Sequence, residues 1–136
     1  MGYFSETTHA EDGHWISGNL GTTRTGGGVF SWQNAEDTSV IVDGIFLDVT
    51  TVATSSVCTI DVGYTATSAT TFSDTMIDGA NVSTAARNYN HIKDAGSNGV
   101  GAVKVAKGKW ITASQKTGDV TGLAGDYYIH YRKVRP

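Results

Sequence analysis

Residues 57–65 read VCTIDVGYT, and this stretch decides the fold class. Apolar side chains occupy every second position from Cys58 to Tyr64, and small or polar residues separate them. Because successive side chains of a strand point to opposite faces, the alternation predicts a strand with one core face and one polar face. Cys58 is the only cysteine, so no disulfide forms within the chain, and we expect it to pack as a small hydrophobic side chain.

The segment before it, residues 39–52 (SVIVDGIFLDVTTV), is too long for one regular strand with a single apolar face. Apolar residues occupy both parities on either side of Asp43 and Gly44. A β-bulge or bend at Gly44 would exchange the two faces. The alternative is burial on both sides, with one face against a partner chain, and we expect a mixture of the two. Further upstream, residues 29–32 (VFSW) predict another strand.

The segment after it, residues 66–98, is less regular. Within FSDTMIDGANV, Asp74 is a candidate cap for one turn of helix. Three apolar residues there are expected to pack inward: Phe72, Met76 and Ile77. A weak strand is predicted at residues 89–92.

Two further strand signals complete the pattern. Residues 100–115 (VGAVKVAKGKWITASQ) predict a hairpin that turns at Lys107 and Gly108. Residues 126–134 (DYYIHYRKV) predict a last strand in which Tyr127, Ile129 and Tyr131 share one face. His130 falls on the other face.

The composition supports an all-β domain. The 136 residues contain 17 glycines and a single proline, which suits short strands joined by turns. Strand-like segments follow one another about every 8–15 residues, a spacing that indicates a sandwich or barrel. Residues 1–27 are polar and glycine-rich and are predicted to form an N-terminal arm, and residues 28–136 a single β-sandwich domain. The net charge of −3 argues against a nucleic-acid partner.

Neither a membrane span nor a signal peptide is recognisable, so we expect no membrane association and synthesis in a cytosol-like compartment. We assign no catalytic, cofactor-binding or metal-binding residues. The acidic and histidine residues near the N-terminus match no established metal site; they are His9, Glu11, Asp12 and His14. Five other acids are predicted to cap loops rather than bind calcium: Asp43, Asp48, Asp61, Asp74 and Asp78.

The order of the motifs carries a resemblance. The sequence runs through VFSW, QNAEDTSV, IFLDVTTV, CTIDVGYT, FSDTMIDGANV, KVAKGKWITAS and GLAGDYYIHY. Over residues 28–134 this series resembles small jelly-roll proteins of tailed-bacteriophage particles. The resemblance implies an antiparallel β-sandwich of jelly-roll type with an extended N-terminal arm. It also implies a structural protein, not an enzyme, that forms a homotrimer on the capsid surface as a decoration, or cement, protein after synthesis in the host cytoplasm.

The partners implied by this resemblance are the major capsid protein and copies of the chain itself. We expect Tyr3, Phe4 and Trp15 on the arm, and Tyr128 and His130 on the last strand, to contact the capsid or another subunit. An alternative function is a carbohydrate- or receptor-binding tip domain of a phage fibre or head spike, using the last strand and residues 66–98. A small enzyme is the third hypothesis.

Overall fold

The structure is a computed structural model that describes residues 13–21, 28–67 and 72–135. These residues form nine strands and no helix. The strands are β1 (His14–Asn19), β2 (Gly28–Gln33), β3 (Val40–Thr51), β4 (Cys58–Thr65), β5 (Ile77–Asn81), β6 (Asn88–Asn90), β7 (Val103–Val105), β8 (Trp110–Gly118) and β9 (Ala124–Lys133).

The strands pair into two antiparallel sheets. Sheet A has the order β1-β9-β3-β6, and β7 also pairs with β3. Sheet B has the order β2-β8-β4-β5. Side chains of the two sheets meet in the core, where the rings of Phe30 on β2 and Tyr127 on β9 stack with centroids 4.1 Å apart. The structure therefore confirms an all-β protein with the two layers of a β-sandwich.

β4 supplies the centre of the core, as its sequence predicts. Cys58, Ile60 and Val62 are fully buried. Burial also raises the pKa of the Cys58 thiol, which favours its neutral form. The other face of β4 is not open to solvent, because Asp61 and Gly63 are buried beneath residues 73–79.

The predicted bulge in β3 is present. The register of β3 against β9 shifts between Val42 and Gly44. Before the shift, the even-numbered residues Val40 and Val42 face the core; after it, the odd-numbered residues from Ile45 to Val49 do so. A single irregularity therefore lets one long strand keep a continuous apolar face, and it places Asp43 on the outer face of sheet A.

The predicted hairpin at Lys107 and Gly108 is wrong, although the turn itself exists. β7 pairs with β3 in sheet A, whereas β8 pairs with β2 and β4 in sheet B. Asn34 lies between the two strands and forms hydrogen bonds with both sides. Its amide nitrogen donates to the Val105 carbonyl oxygen, 3.0 Å away, and its backbone carbonyl accepts from the Gly108 N–H, 2.9 Å away. The connection is a crossover between sheets.

Residues 72–98 differ from the sequence expectation in two respects. Asp74 begins no helical turn, since residues 77–81 form strand β5 instead. Met76 and Ile77 are fully buried as expected, but the Phe72 side chain is 59% exposed. The weak strand is found as β6 and pairs with β3.

Part of the predicted N-terminal arm belongs to a sheet. All six residues of β1 pair with β9, from His14 opposite Tyr131 to Asn19 opposite Asp126. Half-buried and exposed residues alternate along β1, as expected for an edge strand of sheet A. Gly18 allows the close approach, since a Cβ there would lie 2.6 Å from the Tyr127 ring. Residues 1–12 and 22–27 of the predicted arm lie outside the described residues.

Candidate functional site

The outer face of sheet A carries an exposed aromatic patch, which we define as Trp15, Phe46 and Tyr128. Their exposed fractions are 60%, 39% and 38%. Trp15 lies on β1, Tyr128 on β9 and Phe46 on β3, so three adjacent strands bring them together. Phe46 and Tyr128 are direct cross-strand neighbours. Large aromatic side chains that share an exposed face are a common feature of interaction sites.

His130 lies beside the patch, as the direct cross-strand neighbour of Trp15. Its ring centroid lies 4.7 Å from that of Trp15, and Trp15 lies 6.1 Å from Phe46. The His130 Nδ1 atom is 2.5 Å from Asp43 Oδ1, and the other Asp43 oxygen is 3.3 Å from Arg132 Nε. The bulge in β3 puts Asp43 where it can hold His130. Contacts with Asp43 and Trp15 therefore fix the orientation of His130 beside the patch.

A shallow groove lies beside the aromatic patch. The patch forms its apolar wall, and Asp48 and Asn88 contribute polar groups. Its volume is about 240 Å³, and it is open to solvent. Asp48 is on β3 and Asn88 on β6, in direct register with one another. The groove therefore combines flat aromatic rings with a carboxylate and an amide.

The sequence-predicted contact residues are brought together only in part. Trp15, Tyr128 and His130 share the outer face of sheet A, although 113 positions separate Trp15 from Tyr128 in the sequence. Tyr3 and Phe4 lie outside the described residues. Phe46 was missed, since its segment predicts a strand without showing which apolar side chains remain outside the core. The register shift at Gly44, which only the structure shows, places Phe46 on the outer face.

Three of the predicted loop-capping acids form a second cluster, in which Asp61, Asp74 and Asp78 converge. Their carboxylate oxygens lie within 4.8 Å of one another. The Lys116 ammonium group pairs with Asp78 and lies 3.9 Å from Asp61. Hydrogen bonding to Lys116 lowers the pKa of Asp78, whereas burial raises that of Asp61.

Protein donors occupy the same cluster from the loop side. The Gly79 N–H donates to Asp61 Oδ1 at 2.8 Å. Asn98 donates its side-chain amide to Asp74 at 2.8 Å and its backbone N–H to Asp78 at 3.2 Å. These contacts join β4, β5, β8 and residues 94–99, which fits the predicted capping role. The Lys116 ammonium group therefore supplies positive charge to this cluster.

Of the N-terminal acids and histidines, only His14 lies within the described residues. Its ring stacks on that of Tyr131, with centroids 5.0 Å apart. The structure therefore gives His14 a packing role on β1. Residues 13–21, 28–67 and 72–135 include no helix with the length and hydropathy needed to cross a bilayer.

No protein-family model and no curated protein sequence matches this chain. Among solved structures, the chain is similar to one from the "Acidic stable capsid structure of Helicobacter pylori bacteriophage KHP30". The TM-score is 0.55 at 10% sequence identity, and the alignment covers 89% of this chain and 87% of the other. The two chains therefore share a fold over nearly their whole lengths.

Proposed function

We propose that this chain is a structural protein of a tailed-bacteriophage particle, a decoration or cement protein that binds the outside of the capsid. The observation that carries the proposal is the shared fold with a chain from a phage capsid structure. The match includes 89% of this chain and 87% of the other, so it relates whole domains of similar size. The proposed partner is the major capsid protein, the proposed location is the virion surface, and the role is structural, not catalytic.

The strand order supports a sandwich of the jelly-roll type. Successive strands alternate between the sheets along much of the chain: β1, β3 and β9 lie in sheet A, and β2, β4 and β8 in sheet B. Jelly rolls are double-sheet folds of eight strands, and they occur in viral capsid proteins.

The proposed docking surface is the aromatic patch with His130. The patch is small, so one copy would bind the capsid weakly. A homotrimer would present three identical patches, and simultaneous engagement would convert weak contacts into persistent attachment. The first measurement is therefore the mass of the purified chain in solution. A trimer mass is expected, and a monomer at all concentrations would remove the trimer from the proposal.

The decisive experiment asks whether the chain is part of a particle. Phage particles from cultures that carry the gene for the chain would be purified on a density gradient and analysed by mass spectrometry. Particles that lack the chain would then be mixed with the purified protein and sedimented. We expect saturable binding to the capsid exterior. Absence of the chain from the particles, together with no binding on mixing, would refute the proposal.

The proposed contribution of Tyr3 and Phe4 needs a truncation that respects the sheet. Deletion of residues 1–27 would remove β1, which pairs with β9. Deletion of residues 1–12 leaves every described strand intact. We expect this shorter truncation to fold and to bind capsids more weakly than the full chain. Unchanged binding would exclude a role for Tyr3 and Phe4.

A further inference from the structure

Two aspartates face each other on the outer face of sheet A. Asp48 on β3 and Asp126 on β9 are direct cross-strand partners. Asn19 on β1 flanks Asp126, and Asn88 on β6 flanks Asp48, so a polar row crosses four strands in register. Cβ atoms of directly opposite residues lie about 5 Å apart, and like charges there are destabilising. The sheet therefore carries a local excess of negative charge at this row.

Within the part of the chain that the structure describes, neither aspartate forms an ion pair. Arg87, which precedes Asn88 in the sequence, pairs with Asp94 instead. The contrast with Asp43 on the same face is informative, since Asp43 contacts both His130 and Arg132. On the same face of sheet A, Asp43 therefore has two charged partners, whereas Asp48 and Asp126 face one another beside the groove.

The aromatic patch lies next to this row. Asp48 lines the groove together with Trp15, Phe46 and Tyr128. Phe46 and Tyr128 are two positions along their strands from Asp48 and Asp126, and they occupy the same face. Carboxylates beside aromatic faces suit a planar cation, because the cation can stack on the rings while its N–H groups bind the carboxylates.

We infer that this groove receives an arginine side chain of the capsid partner. The inference rests on the proposed function, and it names the chemistry by which the docking surface would recognise the shell. A guanidinium group presents several N–H donors in one plane, so it can bond Asp48 while stacking on the aromatic patch. The argument is charge complementarity: the groove is acidic, and an arginine neutralises the opposed carboxylates. A lysine ammonium group would neutralise charge but could not stack as a plane.

The first test measures the binding of variants to phage particles that lack the chain. Asp48→Asn and Asp126→Asn keep the side-chain shapes and remove the charges. Asp37→Asn is the matched control, since it makes the same charge change at an exposed side chain in the loop before β3. We expect the two groove variants to bind capsids about fivefold more weakly each, and the control to bind normally. Equal binding by all four proteins would overturn the inference and leave the proposed function standing.

Stability measurements on the same variants separate binding from folding. Removing one of two opposed carboxylates relieves repulsion, so Asp126→Asn should unfold at the same or a slightly higher urea concentration than the wild type. Weaker capsid binding by a protein of undiminished stability supports a contact role. If the variant is clearly less stable, Asp126 has a structural role that contradicts the repulsion argument, and the inference fails.

The second test needs no particle. The isotopically labelled chain would be titrated with N-acetyl-arginine amide, and separately with its citrulline counterpart, while the Trp15 indole N–H resonance is followed. Citrulline matches arginine in shape and lacks its charge. We expect arginine to saturate the shift at a concentration at least about fivefold lower, and Asp48→Asn to remove the difference.

Equal responses to the two compounds would overturn the inference. So would a shift of the same resonance by a neutral hexose at lower concentration than by arginine, because that result would assign the groove to a saccharide. Selective arginine binding without any binding to particles would support the chemistry of the groove and refute the proposed function. The two claims can therefore fail separately.

Discussion

Replacing Asn34 by aspartate should strongly destabilise the fold. Asn34 is fully buried, and its side-chain nitrogen donates to the carbonyl oxygens of Thr38 and Val105, each 3.0 Å away. Its side-chain oxygen accepts from the Glu36 N–H at 2.9 Å. Aspartate has nearly the same shape, but it would replace the donor with a second oxygen that faces two carbonyl groups. Only the oxygen that accepts from Glu36 keeps its role.

The magnitude follows from these contacts. Two lost hydrogen bonds cost about 1 kcal/mol each, and the buried carboxylate oxygen that would face the two carbonyl oxygens adds a desolvation cost, so we expect about 3–4 kcal/mol in total. This is a large part of the roughly 5–15 kcal/mol that stabilises a typical domain. With a urea m-value of about 2 kcal/mol/M, the unfolding midpoint should fall by roughly 1.5–2 M at pH 7. Tryptophan fluorescence during urea unfolding measures it.

The pH dependence gives an independent check. Burial and the two facing carbonyl groups should raise the pKa of the introduced carboxyl in the folded state above its unfolded value of about 3.9. The variant's deficit should then be smaller at pH 5 than at pH 8, because the protonated carboxyl regains a donor. Asn81→Asp is the control, since the exposed Asn81 side chain accepts from Ser83 through its oxygen, a role that aspartate would keep. If Asn34→Asp is no less stable than this control, the assigned role of Asn34 is wrong.

Two further substitutions test other parts of the sandwich. Burial and donation to Glu36 raise the pKa of Tyr131 to about 12, so between pH 10 and pH 12 the unfolded state ionises first and stability falls. Chemical denaturation across this range should show that the wild type loses up to about 2–3 kcal/mol more unfolding free energy than Tyr131→Phe. Parallel plots of unfolding free energy against pH for the two proteins would contradict the assignment. Gly118→Ala and Gly108→Ala both place alanine at positive φ, but only at Gly118 would the Cβ lie 1.7 Å from a backbone oxygen. Gly108→Ala should cost roughly 1 kcal/mol of unfolding free energy, and Gly118→Ala at least about 2 kcal/mol more. The melting temperature of Gly118→Ala should therefore fall much further, and equal shifts for the two variants would refute the close contact.

The sequence determined the strands whose patterns are local. Alternation in β4 and β9 predicts their core faces, because side chains along a strand point to opposite sides whatever lies beyond them. Apolar residues of both parities around Gly44 likewise predict a bulge in β3, which the register confirms. These features require only the strand's own period and one glycine. Together with the composition they predict the all-β class. Of the aromatic patch, alternation in β9 places only Tyr128 opposite the core face, whereas Trp15 is an apolar residue of the predicted arm.

Tertiary structure decided which strands became neighbours. The turn at Lys107 and Gly108 has local hairpin chemistry, yet Asn34, more than seventy positions earlier, bonds to both sides and separates β7 from β8. In the same way, β1 joins sheet A because β9 offers it a free edge, which a polar, glycine-rich sequence does not reveal. Asp48 and Asp126 become opposed only through the register of β3 with β9. Pairing between distant segments depends on complementary surfaces that exist only after both have folded, so the groove could not be predicted from either strand alone.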